Sequence, residues 1–200
     1  MRELLIATRN KGKVPEMAAA LAGLPFTLMS VDDVPALEGF DVEETGTTFE
    51  ENALLKAKQY GDKSGKLTIA DDSGLEVDAL EGAPGVYSAR YVLGTNVDRY
   101  NALLKNMNDI QDDRERGAQF HSTIAVYDPT TGRSITTEGI CRGRILRAPV
   151  GEHGFGYDPI FYVDELGATF GEASLEEKQS VDHRAKAIKK MRELLLGEFI

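Results

Sequence analysis

Leu67-Thr68-Ile69-Ala70-Asp71-Asp72-Ser73-Gly74 is the stretch that most constrains this chain: an apolar run meets two adjacent carboxylates, a hydroxyl and a glycine. Leu67 to Ala70 reads as a buried strand. The expectation is that it ends at Ala70 and that Gly74 releases the carboxylates into a loop, where α/β proteins place metal ligands and general bases. The competing reading is a surface turn, because Asp, Ser and Gly are all turn formers. The company these residues keep decides between the two.

With 200 residues, 42% of them hydrophobic, the chain can bury a substantial core, and 1–200 fits either one large domain or two tightly joined lobes. Lys plus Arg number 23 against 33 Asp plus Glu, a net charge of -10. That balance opposes non-specific attraction to nucleic acid or an anionic membrane, so neither is expected as a partner. A polyanionic small molecule must then be held by a local cluster of cations. Cys141, the single cysteine, has no internal disulfide partner, and no stretch reads as a signal peptide or membrane span. A cytoplasmic location is expected.

Arg2 to Thr8 reads as a short strand, broken by the basic loop Arg9-Asn10-Lys11-Gly12-Lys13. A helix should follow, with Pro15 in its first turn. A strand, a Gly-containing basic loop and a helix N-terminus together make an anion site from backbone N–H groups, helix dipole and lysines. The loop lacks the Gly-x-x-x-x-Gly-Lys-Ser/Thr spacing of a Walker A motif. A merely solvated turn would explain Lys11 and Lys13 equally well.

Asp41 to Thr48 reads as a short strand entering a helix cap, with Thr48 and Glu51 as a capping box. The helix, from Phe49 to about Tyr60, carries Phe49, Ala53 and Ala57 on a buried stripe, and Asn52 and Lys56 on another. Leu75 to Leu80 reads as a second, half-exposed strand. A helix capped at Thr95 or Asn96 runs to about Met107, and Asn108 to Gly117 reads as a solvated linker. Phe120 to Tyr127, a turn at Asp128 to Gly132, and one or two strands between Ser134 and Leu146 make a hairpin. His121 and Cys141 are expected to pack rather than react.

Pro149 to Phe161 places glycines around aromatic residues, a loop able to lie flat on a planar ligand, with Asp158 able to accept from a heterocycle's N–H edge. Aromatics that simply pack in a Gly-rich turn are the alternative. Ser174 and Glu177 form another capping box. His183 and Arg184 open the last helix, where the dipole disfavours cations, so an anion or acceptor is expected nearby.

Taken together, Thr8-Arg9-Asn10-Lys11-Gly12-Lys13, Glu44 to Ala53, Ala70 to Leu75, Gly82 to Arg90, Phe155 to Phe161, Glu177-Lys178 and His183-Arg184-Ala185 resemble the Ham1/inosine triphosphate pyrophosphatase family. The resemblance covers nearly the whole chain. It departs at Arg9, where glycine or serine is more usual, and at Asp182, where the bacterial pattern often has serine.

The resemblance implies an α/β fold with a long mixed central sheet, flanking helices and two lobes around a nucleotide-binding cleft, usually in a homodimer. It also implies hydrolysis of ITP, dITP and XTP to the monophosphate and pyrophosphate with a divalent cation, normally Mg²⁺, with Mn²⁺ an alternative. The implied phosphate loop is Thr8, Arg9, Asn10, Lys11, Gly12 and Lys13, assisted by Lys56 and Lys178. Among these, Lys13, Lys56 and Lys178 are the expected counter-charges and Lys11 the one expected to be solvated. Glu44 and Asp72 are the implied metal ligands, with Glu43 the alternative to Glu44. Asp72 is the implied catalytic residue acting on water, with Asp71 in support and Ser73 binding substrate. Phe155, Gly156, Tyr157 and Asp158 are implied to receive the base, with His183 and Arg184 donating to its C6 oxygen.

Two other classes fit less well. A haloacid-dehalogenase-like phosphatase needs Asp-x-Asp after an early strand, and the first strand here ends in Thr8-Arg9-Asn10. A nucleotide-binding sensor would keep the cations and the aromatic loop but have no need of Asp72 or Glu44. The related Maf-type pyrophosphatases lack this Phe-Gly-Tyr-Asp and His-Arg pairing.

Overall fold

The computed structural model describes residues 1–199. Seven strands, β1 (Arg2–Ile6), β2 (Phe26–Ser30), β3 (Leu67–Val77), β4 (Gly117–Asp128), β5 (Arg133–Ile145), β6 (Phe161–Val163) and β7 (Ala168–Thr169), form one sheet in the order β2-β1-β3-β4-β5-β6-β7. Helices α1 (Lys13–Leu21), α2 (Phe49–Ser64), α3 (Asn96–Asn106), α4 (Leu175–Val181) and α5 (His183–Glu198) complete the regular structure. Strand β1 pairs in parallel with β2 and β3, whereas β6 pairs antiparallel with β5 and β7. The expected long mixed sheet with flanking helices is the fold observed.

The chain divides into two compact units. The first comprises Met1–Asp72, Ser122–Gly139 and Arg184–Ile200; the second comprises Ser73–His121 and Ile140–His183. In the first unit, side-chain alternation along β1 sends Leu4 and Ile6 into a core with Met17 and Leu21 of α1 and Ile188, Met191 and Leu195 of α5. Leu5 faces the other way, into a core with Ala53, Ala57 and Tyr60 of α2. The Ala53 and Ala57 stripe of α2 lies where the sequence periodicity puts it.

Helix α2 starts at the expected capping box: Thr48 Oγ1 accepts from the Glu51 amide at 3.1 Å, and Glu51 returns a carboxylate to the Thr48 amide at 3.2 Å. It runs to Ser64, a turn beyond the expected end, and stops where Gly65 adopts φ +68° and its amide donates to the Gly61 carbonyl at 2.8 Å.

In the second unit, Leu75 and Val77 of β3 pack with Leu103, Met107, Phe120, Phe161 and Phe170. Cys141 is buried there, as expected, as a small core side chain.

Three expectations are corrected. Residues 41–46 form no strand; this segment is irregular. The stretch from Asn108 to Gly117 is not wholly solvated, because Arg116 is buried and its guanidinium donates to the carbonyls of Met107, Ile110, Ile145 and Leu146 at 2.8–3.1 Å. Those carbonyls lie where α3 and β5 end, and a planar fork of five donors can serve several at once.

The third correction concerns the acidic stretch. Strand β3 does not stop at Ala70 but runs unbroken through Asp71-Asp72-Ser73-Gly74 to Val77. It lies between β1, which pairs with it at Leu67–Ile69, and β4, its neighbour on the other edge. Gly74 is buried and takes no left-handed conformation. The two carboxylates are therefore strand residues, and adjacent strand residues project to opposite faces.

Candidate active site

That alternation gives Asp71 and Asp72 separate surroundings. Asp72 faces α2, where Lys56 Nζ donates to its Oδ1 at 2.6 Å and Asn52 Nδ2 approaches its Oδ2 at 3.4 Å. Lys56 Nζ also donates to Glu44 Oε1 at 2.6 Å. One ammonium thus sits where two carboxylates converge. Asn52 and Lys56 share the helical stripe read from the sequence, and both are buried. Glu43, the alternative to Glu44, is exposed.

Burial is the main influence on Asp72 and raises its carboxyl above the ordinary aspartate value, with Lys56 opposing. Burial pulls Lys56 down, but Asp72 and Glu44 outweigh it, so the amine is held above its usual value and stays charged.

Asp71 lies in a different set of charges. Its Oδ2 meets Lys13 Nζ at 2.6 Å, and its Oδ1 accepts from Ser122 Oγ at 2.5 Å. Arg184 Nη2 reaches Oδ2 at 3.5 Å, while Arg184 Nη1 pairs with Glu16. Asp71, Glu16 and Arg184 are all buried. Burial alone would raise Asp71, but Arg184 and Lys13 outweigh it and hold the carboxyl well below the usual range. The Lys13 amine is lowered, chiefly by burial.

The basic loop is more self-contained than its sequence implies. Thr8 Oγ1 accepts the Asn10 amide, Asn10 Oδ1 accepts the Gly12 amide, and the Asn10 carbonyl accepts the amides of Lys13 and Val14. Lys13 is thus placed by an Asx turn at the start of α1. Lys11 is exposed, as expected. Arg9 is turned aside, onto the carbonyls of Leu37 and Phe40.

The second unit holds its own constellation. Asp158, buried at the start of a 3-10 turn, accepts the Phe155 amide at 2.8 Å and Lys178 Nζ at 2.7 Å on the same oxygen, Oδ2. The Lys178 ammonium lies 5.1 Å from the ring centroids of both Phe155 and Phe170, within cation–π range. His183 is buried, with its ring stacked on Phe120 at 4.8 Å and 11°. Ser73 is half-buried.

Phe155 and Gly156 are half-buried, but Tyr157 is buried, its hydroxyl donating to the Ser88 carbonyl at 2.9 Å. The expected exposed aromatic loop is therefore a packed one, with Phe155 its more accessible ring. Gly154 has φ +74°, and a Cβ there would lie 2.0 Å from Asp158 Oδ2. Gly154→Ala is expected to displace the Asp158 carboxylate and detach it from Lys178. A fall in stability of about 3–5 kcal/mol, read from the urea midpoint, checks this, since a buried charge pair is broken.

Within the second unit Lys178 is joined to Asp158, and within the first Arg184 is joined to Glu16 and Asp71. Glu16 and Ser122 were not legible as site residues. Glu16 is three residues after Lys13, the helical spacing that puts both on one face of α1, and that was the only sequence signal.

The donor set suits a hard divalent cation. Glu44 and Asp72 converge on a single positive charge, and both supply oxygen, the preferred donor of Mg²⁺ and Mn²⁺. Among the described residues no group of three or more His, Cys, Asp or Glu side chains is arranged to hold a metal. A cation here would draw its remaining ligands from phosphate oxygens and water, as Mg²⁺ commonly does.

Fold and side chains together define a class: an α/β protein whose mixed sheet carries buried carboxylates bracketed by lysines, able to balance phosphate charge and hold a hard cation. The chain belongs to the Ham1 family, whose model matches residues 4–194. It is 50% identical over 190 residues to a dITP/XTP pyrophosphatase of Geobacter sulfurreducens, covering 94% of each chain. It is 47% identical over 195 residues to a dITP/XTP pyrophosphatase of Desulforamulus reducens, covering 96% of this chain and 95% of the relative. The solved structure of a HAM1 protein from Coxiella burnetii superposes with a TM-score of 0.87 at 36% identity, covering 98% of this chain and all of that one.

Proposed function

We propose that this protein hydrolyses the triphosphates of deaminated purine nucleosides, XTP, dITP and ITP, to the monophosphate and pyrophosphate, clearing them from the nucleotide pool. The observation that carries the reading is the convergence of Asp72 and Glu44 on Lys56, with Lys13 nearby on the neighbouring acid. Membership of the Ham1 family, and two close relatives that bear the dITP/XTP pyrophosphatase name, support it.

A triphosphate brings about four negative charges, and catalysis of its transfer is mostly positioning and charge neutralisation. Lys13 and Lys56 supply fixed positive charge from α1 and α2. Asp72 orients a water toward the α-phosphorus and takes its proton, so that pyrophosphate departs. Its raised affinity for a proton suits a base. A bound Mg²⁺ or Mn²⁺, held by Glu44 and Asp72, would neutralise phosphate oxygens and acidify a coordinated water. Asp71 takes no proton; it fixes Lys13 and Arg184.

For the base, Phe155 offers the stacking surface, Asp158 fixes Lys178 beneath that ring, and Ser73 contributes a hydroxyl to substrate binding. His183 donates to the C6 oxygen that distinguishes hypoxanthine and xanthine from adenine. Arg184, next in sequence, can donate to the same oxygen while holding Glu16 and Asp71, since a guanidinium carries five N–H donors. A homodimer belongs to the same reading, supported by the large apolar side chains exposed at Tyr87, Leu93 and Val97. So does a cytoplasmic location, with which a buried free Cys141 is in keeping. Among the described residues no helix is long and apolar enough to cross a membrane.

The test is a product assay with Mg²⁺ on XTP, ITP, ATP and GTP. Pyrophosphate is expected as first product, with XTP and ITP far ahead of ATP and GTP. Orthophosphate as first product, or equal rates on all four, would overturn the reading.

A further inference from the structure

Residues 41–46 have no regular secondary structure, yet the segment carries Glu44. A segment without a ladder must satisfy its polar groups elsewhere. Helix α2 provides most of the grip, through one stripe at four-residue spacing. Asn52 Oδ1 accepts the Gly46 amide at 2.7 Å, Lys56 Nζ donates to Glu44 at 2.6 Å, and the Tyr60 hydroxyl donates to Asp41 Oδ1 at 3.1 Å. Ascending the helix by single turns thus descends the segment from Gly46 to Asp41.

Beyond Asp41 the grip passes to another element. Arg9, in the loop after β1, donates from Nε to the Phe40 carbonyl at 2.9 Å and from Nη2 to the carbonyls of Leu37 and Phe40, both at 2.7 Å. The Phe40 ring in turn meets Tyr60 edge-on, with centroids 5.3 Å apart at 88°. Burial and then Asp41 push the Tyr60 hydroxyl up to about 12, with Arg9 pulling the other way, so guanidinium, phenol and carboxylate form one cluster. Two carbonyls on one side of a planar fork are a geometry that suits Arg and that the point charge of Lys cannot reproduce.

We propose that Arg9 is a positioning residue: it straps Leu37 and Phe40 to the loop after β1 and so fixes the start of the segment that presents Glu44. This rests on the reading of Glu44 as a metal ligand, and it gives Arg9 a role other than the phosphate contact its place in the loop implies. The strap also makes the loop that sets Lys13 and the segment that sets Glu44 a single mechanical piece.

Arg9→Ala and Arg9→Lys test it together. In metal-free protein, hydrogen–deuterium exchange of residues 37–46 is expected to rise in both variants, with the amides of β1 and β4 unchanged as the internal reference. In the pyrophosphate-release assay, the Mg²⁺ concentration giving half-maximal rate is expected to rise about tenfold or more in both, the usual cost of removing a group that orients a metal ligand. Wild-type exchange in both variants, or full rescue of exchange and Mg²⁺ requirement by Lys, would overturn the strap. A rise in KM for the triphosphate in Arg9→Ala alone, with neither other readout changed, would return Arg9 to phosphate binding and overturn it too. Wild-type protein that releases pyrophosphate without Mg²⁺ would instead refute the metal reading of Glu44, a failure the exchange comparison does not share.

Discussion

Replacing Asp72 with asparagine is expected to lower kcat for pyrophosphate release by about 10²–10⁴-fold, the usual contribution of a positioned general base. Asparagine keeps the volume and can still face Asn52 and Lys56, but it cannot take a proton and is a poor partner for a hard cation. The fold should not suffer. Burial makes the ionised form of Asp72 unfavourable in the folded chain, and Lys56 keeps Glu44 as its counter-charge. Turnover and urea denaturation measured on the same preparation check both halves. More than a tenth of wild-type turnover at saturating Mg²⁺ would remove Asp72 from the chemistry, and a large loss of stability would recast it as a structural acid.

The neighbouring acid is expected to behave in the opposite way. Asp71→Ala leaves buried Arg184 and half-buried Lys13 beside an empty site, and removing one member of a buried ion network costs about 3–5 kcal/mol. The urea midpoint should fall accordingly. The sign of its pH dependence follows from the same contacts. Arg184 and Lys13 hold the Asp71 carboxyl below the ordinary aspartate value of 3.8, so its contribution is complete above that pH and is lost as pH falls through the lowered value. The gap between wild type and Asp71→Ala should therefore be widest near neutrality and close in strong acid. A midpoint unchanged at neutral pH would show that Arg184 finds enough in Glu16 alone.

These opposite outcomes at consecutive residues show where sequence reasoning reaches and where it stops. The capping boxes at Thr48 and Ser174, the stripe of Asn52 and Lys56 on α2, and the buried face of α2 are local, set by helical period and side-chain chemistry within a few residues. They were legible, and so was the family, because its motifs recur in order along the chain. The irregular course of residues 41–46 was not legible. Its apolar and acidic pattern permits a strand, and the grip of α2, which follows it directly, and of Arg9, 31 residues before Phe40, holds it otherwise.

The acidic stretch on β3 divides in the same way. Its sequence determined that two carboxylates follow a buried apolar run and that such residues, in this company, belong to phosphate chemistry. A turn at Gly74 was the natural local reading, since composition there favours it. Tertiary structure decided otherwise: β3 lies between β1, which pairs with it at Leu67–Ile69, and β4, and the strand continues through the acids to Val77. Continuity then imposes the alternation of a strand, which sends Asp72 to Lys56 and Glu44 and Asp71 to Lys13 and Arg184. The separate surroundings of the two acids come from the faces they occupy, and a face is a property of the sheet, which no single stretch of sequence contains.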